Sequence, residues 1–220
     1  MIARHPSRRL LAPVLMLAGI LVTSPSTLVQ ASGSSGGGSS SSDSPAIPES
    51  QQMSPEEQAA AARQAAMETY DKNYELTLKA ADAMDEARQR KAQGPEEAKK
   101  AEELRAQALK HYKKAIDGFR KAVKLDPGYH EAWNMLGYSY RKTGQMGEAF
   151  KAYETCLKLK PDYDLAHEYL GEAWLQAGDI DKARAELAWL TEQKSPEAPK
   201  LAAAIGKVAA GETAFLGTDW

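Results

Sequence analysis

The strongest constraint on the fold of this chain is the spacing of apolar residues between His130 and Pro161. Trp133, Leu136 and Tyr140 recur at steps of three and four residues, which places them on one face of a helix. A second stripe with similar steps follows, formed by Ala149, Tyr153, Cys156 and Leu157. Two amphipathic helices so close together in sequence predict a helical hairpin.

The residues between and inside the two stripes support this hairpin. Between them lies Gly144, which can take the left-handed conformation that ends one helix and turns the chain into the next. Gly137 and Ala149 have little or no side chain, so they let the two helix backbones approach closely. Pro161 cannot continue the second helix, and the chain is predicted to turn there.

Further copies of this pattern lie on both sides of the first. A shift of about 34 residues forward finds the matching residues His167, Leu170, Gly171, Trp174, Gly178, Ala183, Leu187 and Leu190. The same shift backward reproduces only the second helix, at Ala115, Phe119, Ala122, Leu125 and Pro127. This order and spacing resemble the tetratricopeptide repeat, a helix–turn–helix unit of about 34 residues.

The resemblance covers residues 68–194 and implies an all-α solenoid in which successive hairpins bury each other's apolar faces. We therefore predict about three tetratricopeptide-type hairpins, of which the first is elongated, and a C-terminal capping helix that is apolar on one side. The predicted units are the elongated hairpin at 55–127, repeats at 128–161 and 162–195, and the capping helix at 196–211.

The elongation of the first hairpin follows from the distance between its two halves. If Thr77 stands where Gly137 stands and Ala115 where Ala149 stands, 38 residues separate the first pair, against 12 in the next repeat. The 26 extra residues fall about equally on either side of Gly94, so they predict an arm of roughly 20 Å. This arm is either a solvated cover for the stack or a protruding contact surface for a partner.

Residues 1–31 are predicted to be an export signal, since three arginines precede an apolar run and a small-residue cleavage pattern ends at Ala31. Roughly thirteen apolar residues are few for a bilayer of about 30 Å, so cleavage is the prediction and an inner-membrane anchor is the alternative. The protein is then expected to be periplasmic or secreted. Residues 32–54 are predicted to be a flexible Ser/Gly-rich linker, and docking of the tail at 212–220 is left open.

Charge and cysteine content argue against several functional classes. Loss of residues 1–31 would change the formal charge from −2 to −5, because three arginines and no acids are removed. A mildly acidic protein lacks the basic surplus that phosphate binding requires, so no nucleic-acid partner is predicted. The single cysteine, Cys156, cannot form an intramolecular disulfide, and stability must come from packing.

No catalytic, metal or cofactor site is predicted. His111, His130 and His167 lack the spacing of metal ligands, and Cys156 falls where a small apolar residue packs between helices. The glycine-rich segment at 33–38 precedes no strand, so it is not a phosphate-binding loop. Because no set of residues meets the geometric roles of an active site, the protein is predicted not to be an enzyme.

By resemblance, the first helices of successive repeats line a concave face that receives a peptide or another protein. Carried over by position, that face comprises Glu131, Asn134, Tyr138, Arg141, Leu165, Glu168, Glu172 and Leu175. A clamp for a terminal carboxylate, as in some family members, would need basic or amide groups where Tyr138, Glu168 and Glu172 stand. An aromatic residue beside Arg141 and two acids better suits an extended segment of mixed charge with an apolar anchor. The alternative is an ordinary solvated face.

The resemblance therefore implies a protein–protein interaction module, an adaptor or scaffold in the bacterial cell envelope that binds a partner protein or peptide. The alternative is a self-assembling structural protein whose long hairpin mediates oligomerisation, since stacked hairpins can pair through an unfinished end. Membrane contact is expected only if the N-terminal segment is uncleaved.

Overall fold

A computed structural model describes residues 53–213 of the chain, and every regular element in this range is helical. The helices are α1 (Pro55–Gln93), α2 (Ala98–Leu125), α3 (His130–Lys142), α4 (Met146–Leu159), α5 (Asp164–Gln176), α6 (Ile180–Glu192) and α7 (Ala198–Ala209), with a 3-10 turn (Pro95–Glu97) before α2. The predicted export signal at 1–31, most of the predicted linker and residues 214–220 of the tail lie outside the described residues.

The helices pack as consecutive hairpins. Helix α1 lies along α2, α3 along α4, and α5 along α6, while α7 lies against both α5 and α6. Neighbouring hairpins join where α3 contacts α2 and where α5 contacts α3 and α4. The predicted fold class, an all-α stack of helical hairpins with an elongated first hairpin and a capping helix, is confirmed.

The first hairpin is longer than the others at both ends. Helix α1 has 39 residues and α2 has 28, whereas α3 and α4 have 13 and 14. Residues 83–111 extend beyond the part of this hairpin that aligns with the other repeats, and we call them the arm. The two helices of the arm meet along a narrow seam of buried residues, Met84, Ala87, Ala101 and Ala108. Helix α1 begins at Pro55, and its first turns at residues 55–61 are exposed.

Left-handed residues end the helices at the hairpin turns. Gly144 has a φ of 78° and Gly178 a φ of 82°, and each follows the first helix of its repeat. The next amide bonds back across each turn, from Gln145 to the Tyr140 carbonyl at 2.9 Å and from Asp179 to the Trp174 carbonyl at 2.9 Å. Only glycine takes this φ without a steric penalty, which explains the sequence signal at these turns.

Close helix contact inside the second hairpin depends on Gly137. A Cβ atom added there would lie 2.7 Å from the Cε1 atom of Tyr153, whose side chain is fully buried. Ala149 is also fully buried at this interface. The small residues that the sequence places at this point therefore let an aromatic ring of α4 lie directly on the backbone of α3.

We expect Gly137→Ala to destabilise the protein by about 1–3 kcal/mol, because the ring of Tyr153 would have to move within a packed interior. Gly206→Ala in α7 is the matched control, since an added Cβ meets nothing within 4 Å there. It should stabilise by about 0.5–1 kcal/mol through helix propensity. Urea unfolding of both variants measures the two effects, and equal shifts would contradict the packing argument.

One hydrogen bond recurs at the two repeat junctions. Trp133 donates its indole N–H to the Pro127 carbonyl at 2.9 Å, and His167, one repeat later, places Nε2 3.0 Å from the Pro161 carbonyl. The Nδ1 atom of His167 lies 2.7 Å from a carboxylate oxygen of Glu186. Since both ring nitrogens face acceptors, the arrangement requires both to carry a proton.

The charge of His167 is supported by its surroundings. Burial acts to lower the pKa of His167, but the hydrogen bonds to Glu186 and to the Pro161 carbonyl outweigh it, so the pKa lies above its ordinary value. The ring also stacks on Trp189, with 3.6 Å between centroids. A positive ring over an indole face is a favourable contact.

This junction should make stability depend on pH. A raised histidine pKa contributes stability that is complete below the unfolded pKa of about 6.5 and is lost as pH rises through the folded pKa. We expect the wild-type advantage over Glu186→Gln, about 1–2 kcal/mol at pH about 5.5, to shrink by pH about 8.5. Urea midpoints at the two pH values test this, and a constant difference would mean that His167 is not the titrating group.

Candidate partner-binding face

Four of the predicted face residues lie together between α3 and α5. The guanidinium of Arg141 donates to the Glu172 carboxylate at 2.5 Å, which joins the two helices across the repeat boundary. The ring of Tyr138 lies beside Arg141, 5.4 Å from the guanidinium carbon. Glu168 is one turn before Glu172 on the same helix. The structure thus brings an aromatic ring, a cation and two acids to one place.

Tyr138 belongs to a row of three tyrosine rings that crosses three helices. Its ring centroid lies 6.0 Å from that of Tyr112 on α2 and 5.1 Å from that of Tyr169 on α5. Burial raises the pKa of Tyr138 well above its ordinary value, so its hydroxyl stays protonated. The three side chains are at most 5% exposed, so the row packs α2, α3 and α5 against one another.

The two acids of α5 differ in their protonation. Burial, with the charge of Glu172 nearby, raises the pKa of Glu168 to about 8. Burial acts in the same direction on Glu172, but the positive charges of Arg141 and Lys142 and the hydrogen bond from Arg141 outweigh it, so the pKa of Glu172 lies below its ordinary value. One carboxylate and one neutral carboxyl group therefore lie one turn apart.

Sequence reasoning missed Lys142, although it adjoins Arg141. Burial and the charges of Arg141 and Arg88 lower the pKa of Lys142 to about 7. Its ammonium nitrogen lies 5.3 Å from the centroid of the Tyr138 ring. Arg88 comes from the arm, so the arm contributes charge to the edge of this face. Alignment of repeats could not reveal this, because the arm has no counterpart in the other hairpins.

Two polar atoms of α3 are buried without a hydrogen-bond partner among the described residues. They are Oδ1 of Asn134 and Nε of Arg141, in side chains that are each 1% exposed. Asn134, Tyr138 and Arg141 follow at steps of four and three residues, so they share one side of the helix. An unpaired buried polar atom is costly. Both atoms are closed off from solvent, and the Arg141 side chain also interacts with Tyr153 of α4, so added donors and acceptors reach this side of α3 only when its cover moves.

The remaining predicted residues lie apart from this group. Glu131 and Leu165 are half-buried near the starts of α3 and α5, and the Glu131 carboxylate lies 3.1 Å from Nδ1 of His130. Leu175 lies in an apolar cluster with Leu190 and Leu201, between α5, α6 and α7, and is 3% exposed. Leu175 therefore contributes to the core under the capping helix.

Residues 53–213 contain neither a cluster of metal ligands nor a helix that could cross a membrane. No three histidine, cysteine or acidic side chains in this range converge as a metal site would require. None of the helices α1 to α7 combines the length and apolar character needed to cross a membrane.

Residues 130–163 match the tetratricopeptide repeat family. A relative in Arabidopsis thaliana, the chloroplastic tetratricopeptide repeat domain-containing protein PYG7, is 48% identical over 44 residues. Those residues are 20% of this chain and 15% of that protein. Together with the stacked hairpins, the match confirms a tetratricopeptide-type helical repeat, and this repeat implies a protein–protein interaction module.

The two acids of α5 allow a paired test by isosteric substitution. Glu168→Gln should stabilise the protein by about 1 kcal/mol or more at pH about 8, because a raised pKa costs stability as pH rises from about 4.5. Glu172→Gln should destabilise it by about 1–3 kcal/mol, because it leaves the buried Arg141 without its carboxylate.

Urea unfolding at pH about 4 and about 8 measures both effects. The Glu168→Gln gain should vanish at the lower pH, where this side chain is protonated in folded and unfolded states. Shifts of the same sign for the two variants at the higher pH would contradict the assignment.

Proposed function

We propose that this protein is an adaptor in the bacterial cell envelope that binds an extended segment of a partner protein against α3 and α5. The observation that carries the proposal is the pair of unpartnered polar atoms on α3, Oδ1 of Asn134 and Nε of Arg141. Leaving such atoms unpaired costs about 1–3 kcal/mol each. Both side chains are buried in the described structure, so the segment must displace the groups that cover them. Its backbone presents N–H and C=O groups in alternation and then pairs with both atoms.

The surroundings of these atoms define the partner's chemistry. The row formed by Tyr112, Tyr138 and Tyr169 is buried in the described structure, and we expect one large apolar side chain of the segment to contact it when the segment displaces what covers it. Arg141 and Glu172 already satisfy each other's charge, so the segment needs no single dominant charge. A segment of mixed charge with one aromatic or branched aliphatic anchor fits best. The proposal assigns no enzymatic activity and no cofactor.

The cell-envelope location rests on the sequence of residues 1–31. A basic start, an apolar run of roughly thirteen residues and a small-residue cleavage pattern are typical of an export signal. The expected place is the periplasm or the exterior, with anchoring in the inner membrane as the alternative. A chain that carries a cleaved signal would be shorter at its amino terminus, which mass spectrometry of protein from the source cell detects.

Site-specific photocrosslinking in the source cell tests the binding face. The photoreactive residue replaces Leu165, which is half-buried on α5 three residues before Glu168, Glu154 on the exposed side of α4 as the matched control, or Gln93 at the tip of the arm. We expect a discrete partner to crosslink from position 165 and not from position 154. The crosslink should weaken at least about tenfold when Asn134→Ala is added, because one hydrogen bond to the segment is lost.

Other outcomes would overturn this assignment. Capture from Gln93 alone would place the working surface on the arm. Capture of only a second copy of the chain would favour self-assembly over the adaptor function. Equal yields from Leu165 and Glu154 would show that neither surface is selective.

A further inference from the structure

Helix α2 carries an unusual concentration of positive charge on one side. Between residues 110 and 124 it has six basic side chains and one acid, Asp117, although the whole chain has a formal charge of −2. The basic stripe consists of Lys110, Lys113, Lys114, Arg120, Lys121 and Lys124, all of which are exposed. At about 3.6 residues per turn all six fall within an arc of about 120°, and Asp117 lies inside the same arc. Six cations and one anion leave this side of the helix with a formal charge of +5.

This basic stripe has no role in holding the described fold together. None of its six side chains forms an ion pair with another residue in the range 53–213. Lys110 faces Lys113 and Lys114 at steps of three and four residues, and like charges at these spacings weaken a helix. Two arginines elsewhere in the hairpin are paired, Arg90 with Glu97 at 2.7 Å and Arg105 with Glu102 at 3.0 Å.

The stripe is straight and uncovered. It spans fourteen residue steps, or about 21 Å along the helix axis. The opposite side of α2 is buried against α1 and α3, through residues such as Tyr112 and Phe119. Within the described part of the chain, α2 packs on no helix other than these two. The six cations therefore lie in a row on an open surface.

We propose that the basic stripe of α2 rests on the surface of a membrane that contains anionic lipids. Charge complementarity carries this assignment. The stripe has no aromatic or aliphatic side chain to anchor a protein partner, and lysine is depleted from protein interfaces. A layer of lipid headgroups requires no shaped pocket, and each lysine or arginine near it adds about fivefold in binding.

The stripe lies on α2 and is separate in sequence from residues 10–22, the apolar run of the N-terminal segment. The stripe gives the protein a route to a membrane that does not depend on this segment and persists if the segment is removed.

Nucleic acid is the less suitable polyanion. Proteins that bind it combine phosphate contacts with side chains that contact bases, and their domains are basic overall. The chain has a net negative charge, and five of the six stripe residues are lysines, which contact phosphate as point charges. Duplex DNA therefore serves as a competing ligand in the test.

Vesicle binding of the full chain tests the proposal. The measured quantity is the ratio of binding to vesicles with about 30% phosphatidylglycerol over binding to pure phosphatidylcholine vesicles, so any contribution of the apolar segment cancels. Lys110→Gln, Lys113→Gln and Lys114→Gln together should lower this ratio about 100-fold. The matched control replaces three exposed lysines on other surfaces, Lys72, Lys79 and Lys158, and should change it by less than about threefold.

Two outcomes would overturn the proposal. Equal ratios for the stripe variant and the control variant would show that total charge, and not the stripe, governs binding. Tighter binding of the wild type to duplex DNA than to anionic vesicles at equal phosphate concentration, lost in the stripe variant, would assign the stripe to nucleic acid. Loss of binding as salt rises from about 50 to about 200 mM should accompany the expected result.

Discussion

The stack depends first on how closely two helix backbones approach inside a hairpin. At Gly137 the ring of Tyr153 occupies the space where any side chain would begin, and Ala149 lies fully buried beside it. Asn134 and Arg141 lie three and four residues from Gly137, so they share its buried side of the helix. The side of α3 that packs on α4 therefore also carries the polar groups that join it to α5.

The sequence predicted the helical elements and missed contacts between them. Periodicity and the glycines at the turns were enough for the fold class, the hairpins and the elongation of the first hairpin. At the candidate face, repeat position predicted which residues share a side of a helix. It could not predict that Arg141 pairs with Glu172, or that Leu175 packs under α7, because these contacts depend on distances between helices.

The two repeat junctions show how one position accepts different chemistry. Trp133 and His167 both place a ring nitrogen on the proline carbonyl six residues earlier. The indole has only that one nitrogen, so its contact does not change with pH. The imidazole has a second nitrogen, and Glu186 faces it in the next helix. A substitution that preserves the backbone contact has therefore made one junction of the stack titratable while leaving the other insensitive to pH.

The narrow seam of the arm has a consequence for how the hairpin opens. Its contacts are made mostly by alanine, whereas the base of the same hairpin contains Tyr112, Phe119 and Tyr70. Apolar burial per turn therefore falls steadily from the base to Gly94. Local opening costs least where burial is smallest, so amide hydrogens should exchange fastest near the tip and progressively slower toward the aromatic base. The hairpin thus opens locally from its tip, and its outer turns can separate while the repeats behind them stay folded.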